Sequence, residues 1–244
     1  MEYSKDPFAN FLEKSCKFIT ENKEKFILGL IGVVTLIVLV AWYMISQGQV
    51  QVNAHKDFTY AMEYFNAPVI SEKDDSSIDF DTKEFKTKEE KWVKVESLFR
   101  KGYEDNKSSG LAPIFLAYQS EALLNMGKNL EAISVLKKAV NLVSSEEVKS
   151  YYQVKLALMQ IDSDDKNMQN DGLSILKELA VNDKCVANDR ALYHLGNYFW
   201  NSKKFDEAKN YWNQLVLKYG KSAEKPSFYV SKAKPKLKLI SFKS

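Results

Sequence analysis

The sequence has 244 residues, of which 45% are hydrophobic and 27% charged, and its formal net charge is +3. With 9 glycines, 5 prolines and 13% aromatic residues it is neither collagen-like nor of low complexity, and the composition argues against intrinsic disorder. So small a net charge leaves no electrostatic footprint for nucleic acid, and nucleic-acid binding is not expected.

The first predicted element is a transmembrane helix over residues 26–45, FILGLIGVVTLIVLVAWYMI. At about 1.5 Å per residue, a helix of this length spans roughly 30 Å, the hydrocarbon thickness of a bilayer. Trp42 and Tyr43 stand at its end, where aromatic side chains anchor helices at the membrane interface. A buried helix of a soluble core is one alternative, but such a helix is rarely apolar on every face. A cleavable signal peptide is the other, but its apolar region is shorter.

The lysines around this helix predict its orientation. Residues 1–25 contain five lysines, whereas residues 46–54 contain no basic residue. Because lysine near a membrane helix favours the cytoplasmic side, residues 1–25 are predicted as a cytoplasmic lead. The rest of the chain would then lie on the periplasmic face of a bacterial inner membrane. Cys16 and Cys185 would be separated by the bilayer, so no disulfide between them is expected.

Two segments of different character follow the membrane helix. Residues 46–66 carry apolar residues at mostly helical spacing and are predicted to continue the membrane helix. Residues 67–90 are rich in acidic residues and are predicted as a flexible insertion. A Ca²⁺ loop formed by Asp75, Asp79 and Asp81 is the alternative, but the stretch lacks the glycine that an EF-hand turn needs. No metal site is therefore expected.

Residues 91–220 contain amphipathic stretches joined by short links. The predicted helices are 91–103, 111–126, 130–143, 148–161, 172–181, 187–201 and 205–219. No stretch of alternating apolar residues between turn residues predicts a strand. The predicted fold class is therefore all-α, with one transmembrane helix followed by a domain of antiparallel helical hairpins.

Two segments of this domain share a pattern. SEALLNMGKNLEAISVLKKA, residues 120–139, and GNYFWNSKKFDEAKNYWNQL, residues 196–215, each begin with a small residue and carry an alanine twelve positions later. These are Ser120 with Ala132, and Gly196 with Ala208. Small side chains at these positions allow two antiparallel helices to approach closely. A weaker copy covers 151–180, with Gly172 in place of the alanine and a longer turn predicted over residues 162–171.

These segments resemble the tetratricopeptide repeat. The best match to its pattern is Leu192, Leu195, Gly196, Phe199, Ala208 and Trp212. Together with the short lead and the single anchor, the chain resembles the single-pass ancillary subunit of the bacterial Sec translocon. That resemblance implies a periplasmic solenoid domain that contacts the translocon and a membrane-anchored envelope chaperone.

Tetratricopeptide arrays bind extended peptides or partner helices along a concave face formed by the first helix of each hairpin. By this resemblance, the candidate partner-binding residues are Tyr118, Glu121, Asn125, Tyr193, Asn197, Trp200 and Asn201. Asn197 stands where members of the family often hold a peptide backbone or a terminal carboxylate. For Tyr118 and Trp200, packing between helices is the alternative.

No catalytic motif is found. P-loop, zinc-protease and nucleophile-elbow motifs do not occur, and His55 and His194 have no cysteine or carboxylate cluster at metal-ligand spacing. A serine or cysteine nucleophile needs a base, and these two histidines are the conventional candidates. Neither an enzymatic activity nor a cofactor is therefore expected.

The last predicted element is a basic segment, residues 221–244. From residue 218 onward the chain has eight lysines against one glutamate. The segment could lie on anionic lipid headgroups, or it could cap the last hairpin through Leu237, Leu239 and Ile240. RNA binding is disfavoured, because only 2 of the 35 basic residues are arginine.

These features predict a membrane-anchored protein-interaction scaffold that assists protein secretion or envelope protein biogenesis. The expected partners are translocon subunits, an envelope chaperone or client polypeptides. Two alternatives stay open: a structural tether for cell-division or wall-assembly proteins, and a cytosol-facing import receptor of an organelle.

Overall fold

The computed structural model describes residues 7–70, 83–220 and 226–241, and the regular structure in these ranges is helical. Ten helices, α1 to α10, lie there, and a single bridge between Val69 and Phe85 is the only strand-like pairing in the same ranges. The predicted all-α class is confirmed for this part of the chain. Residue contacts divide the chain into two compact units, Met1–Val52 and Asn53–Ser244.

The first unit contains α1, Pro7–Glu21, and the beginning of α2, Lys23–Asn66. Among the described residues, α2 is the one helix long and apolar enough to cross a membrane. None of the residues in its most apolar window is buried, whereas the core helix of a soluble protein would be covered by other elements. The prediction of one long apolar helix near the amino terminus is therefore confirmed.

The second unit begins with the far end of α2 and two short segments that pair with each other. The Phe85 N–H donates to the Pro68 carbonyl at 3.2 Å, and the Ile70 N–H donates to the Phe85 carbonyl at 3.0 Å. Ala67 and Phe85 are buried, and the Phe85 ring lies 6.1 Å from that of Tyr64. The two ends of the predicted flexible insertion are thus packed, because they carry apolar side chains that the surface of α2 covers. Residues 71–82, which include Asp75, Asp79 and Asp81 of the alternative Ca²⁺ loop, lie outside the described residues.

Helix α3, Lys88–Asp105, begins three residues before its predicted start and within the predicted insertion. Thr87 is its N-cap, since its Oγ1 accepts a hydrogen bond from the Glu90 N–H at 3.1 Å. A threonine cap satisfies an otherwise unpaired N–H and so extends the helix toward its amino end.

Three hairpins follow, α4 with α5, α6 with α7 and α8 with α9, and each helix also packs on the next one along the chain. Their bounds are α4 Ala112–Asn125, α5 Asn129–Leu142, α6 Glu146–Ile161, α7 Lys166–Val181, α8 Asn188–Asn201 and α9 Phe205–Tyr219. The predicted bounds of these six helices agree with the observed bounds within two residues, except at the start of α7. The long turn predicted over 162–171 was wrong, because the Asp165 carboxylate caps the helix by accepting from the Asn167 N–H at 2.8 Å.

Small residues lie in the contact between the two helices of each hairpin. The Ser120 hydroxyl donates to the Ala132 carbonyl at 2.8 Å, and both residues are fully buried. Gly172 of α7 lies against the backbone of Ala157, and Gly196 of α8 lies against the Trp212 indole. A Cβ atom at either glycine would overlap a neighbouring atom, so both positions require glycine.

The core continues from one hairpin to the next as three clusters of buried side chains. The first joins the end of α2 to α3 and α4, the second lies among α4, α5 and α6, and the third extends from α6 to α10. Asn188 is a fully buried polar residue in the third cluster. Its amide donates to the carbonyls of Leu179, Ala180 and Asn182 at the end of α7, and its oxygen accepts from the Tyr219 hydroxyl.

The basic tail forms α10, Phe228–Ser241, which packs on α9 and α8. Val230, Ala233 and Ile240 are buried, and Leu237 is half-buried against the same cluster. The interpretation that the tail caps the last hairpin is therefore confirmed for Leu237 and Ile240. It was wrong for Leu239, which is 53% exposed because it lies on the opposite side of the helix.

Candidate partner-binding surface

Aromatic side chains follow one another along the first helices of the three hairpins and onto α10. Tyr118 belongs to α4, Tyr151 and Tyr152 to α6, Tyr193 to α8 and Tyr229 to α10. We call this set the tyrosine face. Tyrosine combines an apolar ring with a hydroxyl that donates and accepts hydrogen bonds, so it suits a surface that binds polypeptide.

A half-open groove with a volume of about 320 Å³ lies between α4 and α6 on this face. Its lining residues are Phe65, Ala117, Tyr118, Glu121, Tyr151, Tyr152 and Lys155. We call it the α4–α6 groove. It contains two of the predicted partner-binding residues, Tyr118 and Glu121.

Tyr118 forms the aromatic wall of the groove and is held by three neighbouring rings. Its ring stacks on Phe99 with centroids 5.1 Å apart, and it meets the edges of Phe65 at 5.2 Å and Phe58 at 5.5 Å. The alternative interpretation, packing between helices, therefore holds for one side of the Tyr118 ring, and the residue also lines the groove.

Helix α6 contributes Tyr152 to the groove, and an ion pair connects α6 with α4. The Lys155 ammonium group of α6 donates to the Glu121 carboxylate of α4 and so joins the two helices across the groove. Burial raises the pKa of the Tyr152 hydroxyl, and the neighbouring Tyr118 and Tyr151 raise it further. The hydroxyl therefore stays protonated at neutral pH and can donate a hydrogen bond to a ligand.

The corresponding surface of the last hairpin is covered by α10. The Tyr193 and Tyr229 rings lie 5.1 Å apart, and Lys236 Nζ donates to Asn197 Oδ1 at 2.7 Å. The same ammonium group lies 5.4 Å from the centre of a Trp212 ring. Asn197, predicted to hold a peptide, thus already binds a lysine of the same chain.

The remaining predicted residues lie away from the groove. The Trp200 ring contacts Phe205 at 5.0 Å and Trp212 at 5.9 Å, as expected for packing within the hairpin. Asn125 and Asn201 are exposed near the ends of α4 and α8, and the Asn125 amide donates to the Glu121 carbonyl of its own helix.

Arg190 and His194 lie between the open and the covered parts of the tyrosine face. The Arg190 guanidinium carbon lies 4.6 Å from the Tyr151 ring centre and 5.7 Å from that of Tyr229. Burial, together with the positive charges of Arg190 and Lys236, lowers the pKa of His194 to about 4. His194 is therefore neutral at physiological pH.

Sequence reasoning missed Tyr151, Tyr152, Lys155 and Phe65 as groove residues. The first three belong to the weakest copy of the repeat, for which no first-helix register was assigned. Aligning Ala157 of α6 with Ser120 and Gly196 would have placed Lys155 on the same face as Tyr118. No comparable signal exists for Phe65, which reaches the groove from α2.

In the described part of the chain, no three His, Cys, Asp or Glu side chains lie close enough together to hold a metal ion. Cys185 is a half-buried free thiol. Comparisons with protein-family models, curated proteins and solved structures give no match to this chain. What the protein does is therefore inferred from its own residues.

Proposed function

We propose that this protein is a membrane-anchored interaction module that binds a polypeptide segment in the α4–α6 groove. The observation that carries the proposal is the groove itself, in which tyrosines of two helices and the Glu121–Lys155 ion pair remain accessible. No catalytic role is part of the proposal.

The chemistry of the groove favours a polypeptide over a small apolar ligand. Tyrosine rings supply large, rigid contact areas at little entropic cost, and aromatic residues in pockets dominate the binding energy of many protein interfaces. Their hydroxyls and the ion pair supply donors and acceptors for a peptide backbone. The groove lies between successive first helices, as in arrays that bind extended peptides.

The hairpin domain is proposed to be a degenerate tetratricopeptide-like array. Three features support this: consecutive hairpins packed in chain order, a small residue at each close approach, and the final helix α10 packed on the last hairpin. Terminal capping helices of this kind shield the apolar end of a repeat array.

The cellular role proposed is assistance to secretion or envelope protein biogenesis from the outer face of the inner membrane. The apolar part of α2 supports an anchor, and the lysines before it support a cytoplasmic amino terminus. A translocon subunit, an envelope chaperone or a client polypeptide would occupy the groove.

A topology experiment tests the location. In a chain with Cys16→Ser and Cys185→Ser, single cysteines replace Glu13 of α1 or Ser202 between α8 and α9, both of which are exposed. On intact cells a membrane-impermeant maleimide should label the cysteine at 202 and not that at 13. Labelling at 13 alone would contradict the proposed orientation and favour a cytosol-facing receptor.

A cross-linking experiment tests the binding role. A photo-reactive phenylalanine replaces Tyr152 in the groove, and a control carries it at Lys137, exposed on α5. Adducts with translocon subunits, envelope chaperones or secreted polypeptides are expected from 152 and not from 137. Cell-division or wall-assembly proteins in these adducts would instead support the alternative function, a structural tether for such proteins.

A matched pair of variants sharpens this test. Tyr151→Ser removes an exposed ring of the groove, whereas Tyr60→Ser removes a similarly exposed ring on α2. The adducts from position 152 should fall severalfold with Tyr151→Ser and stay unchanged with Tyr60→Ser. An equal yield from both variants would show that the groove does not hold the partner.

A further inference from the structure

Helix α1 has one apolar side that is exposed to solvent. Phe11 is 66% exposed, Leu12 46% and Phe18 64%. On a helix these positions and Phe8, which is also exposed, fall within one sector about 120° wide. Large apolar side chains gathered on one side of a helix indicate a surface that another apolar medium covers.

The opposite side of α1 is polar and electrically balanced. Its charged residues are Glu13, Lys14, Lys17 and Glu21, so the positive and negative charges cancel. Lys17 and Glu21 lie 4.0 Å apart as an i, i+4 ion pair. This side provides no net attraction for a charged partner.

A turn at Asn22 separates α1 from α2. Both the backbone N–H and the side-chain amide of Asn22 donate to the Phe18 carbonyl, at 3.0 and 3.1 Å. These bonds close the last turn of α1, and α2 begins anew at Lys23. The uncharged stretch of α2 starts at residue 26, so at about 1.5 Å per residue α1 ends within roughly 8 Å of the expected membrane boundary.

An apolar hollow lies at this junction within the first unit. It has a volume of about 500 Å³ and is lined by Phe18 of α1, by Asn22 at the turn, and by Lys25, Gly29, Leu30 and Val33 of α2. The absent side chain of Gly29 leaves this space open. An acyl chain matches such a hollow better than water does.

We propose that α1 lies in the plane of the bilayer, with its Phe11, Leu12 and Phe18 side in the interfacial region and its Lys17 side in water. The covering medium is lipid, because α1 is joined to the membrane-spanning stretch at the depth where headgroups meet acyl chains. This inference rests on the proposed membrane anchoring of α2. Since the charges of α1 cancel, the insertion depends on apolar burial and does not require anionic lipid.

The experiment uses the full chain in proteoliposomes, with Cys16→Ser and Cys185→Ser and an environment-sensitive dye on one introduced cysteine. The dye positions are Leu12→Cys on the apolar side, Lys17→Cys on the polar side and Ile37→Cys within the apolar part of α2. Two quenchers are applied, aqueous iodide and lipid brominated near the headgroup. The dye at 12 should be quenched severalfold more by brominated lipid than the dye at 17, and iodide should show the reverse order.

A pair of variants tests whether the apolar side causes this result. With the dye at 12, adding Phe11→Ser should increase iodide quenching, whereas Asn10→Ser on the polar side should leave it unchanged. Quenching of the dye at 12 by iodide and by brominated lipid should be the same in vesicles of phosphatidylcholine alone and in vesicles that also contain phosphatidylglycerol. Insertion only in the presence of phosphatidylglycerol would overturn the apolar account.

The other outcomes separate the possible failures. Equal iodide quenching at 12 and 17 would show that α1 lies in water and would overturn the proposal. Protection of position 12 from both quenchers would show that a protein, such as a second copy of the chain, covers α1, which also overturns it. If lipid brominated deeper in its acyl chains fails to quench the dye at 37, the proposed anchoring of α2 itself is wrong.

Discussion

The first and last hairpins differ in access to their outer surface, although both close through a small residue of the first helix. In the α4–α5 hairpin, Tyr118 and Glu121 line an open groove. In the α8–α9 hairpin, Tyr193 and Asn197 bind Tyr229 and Lys236 of α10. A small residue thus lies in the contact within each of these hairpins, whereas the next element along the chain determines whether the outer surface of the hairpin is free.

The largest loss of stability is expected from Gly196→Ala, which would disrupt the packing of the last hairpin. The new Cβ would overlap the Trp212 indole, whose N–H donates to the Tyr193 carbonyl at 3.2 Å. Overpacking and loss of this bond should lower the free energy of unfolding by about 3 kcal/mol. Thermal unfolding of the full chain in detergent measures it. Gly48→Ala, which meets no atom within 4 Å, is the control and should leave the unfolding of the hairpins unchanged.

Detaching α10 should expose the outer surface of the last hairpin, as that of the first hairpin is exposed. Ala233 is fully buried, so Ala233→Asp places a carboxylate in the contact between α10 and the hairpin and costs about 2 kcal/mol. Trypsin should then cleave α10 at its lysines at least several times faster. Lys234→Asp puts the same charge on the exposed side and should not accelerate cleavage. Equal rates for both variants would contradict the packing of α10.

The first hairpin should respond less to the loss of its own small-residue contact. Ser120→Ala removes the hydrogen bond to the Ala132 carbonyl without creating an overlap, so the expected loss is about 1 kcal/mol. Ser144→Ala on an exposed link is the control. A loss as large as that of Gly196→Ala would show that the two hairpins do not pack as described.

The last effect concerns pH and again distinguishes the covered surface from the open one. Because the pKa of His194 is lowered to about 4, the folded chain binds fewer protons than the unfolded chain between about pH 6.5 and 4. Stability should therefore decrease as pH falls through this window. His194→Phe keeps a ring beside Tyr229 and should make this decrease shallower in denaturant titrations. Parallel pH profiles of wild type and variant would show that His194 does not contribute.

The apolar helix, the all-α class and most helix ends could be predicted because each depends on local sequence. The apolar helix over residues 26–45 is evident from its own composition. The hairpin helices are evident from the spacing of apolar residues over one or two helical turns. The start of α7 differs from the prediction because the Asp165 cap lies within the stretch predicted as a long turn. An N-cap is identified only when the helix it begins is considered with it.

The candidate surface could be predicted only in part, because it depends on contacts between distant segments. Tyr118 and Glu121 were found through the resemblance to a repeat, but Phe65 comes from α2 and Lys155 from the least regular copy. Asn197 and Tyr193 were placed on the right helix, yet nothing local indicates that Lys236 and Tyr229 cover them. Lys236 lies 39 residues after Asn197 in the sequence. A contact between such distant segments is a tertiary property that the local sequence does not indicate.

The central claim is that the α4–α6 groove binds a polypeptide while the matching surface of the last hairpin is occupied by α10. Photo-cross-linking from Tyr152 and from Tyr193 in the same membranes tests it, in the wild-type chain and in Ala233→Asp. Adducts with a partner polypeptide are predicted from 152 in both chains and from 193 only when α10 is detached. Equal adducts from 193 and 152 in the wild-type chain, or none from 152, would contradict the account.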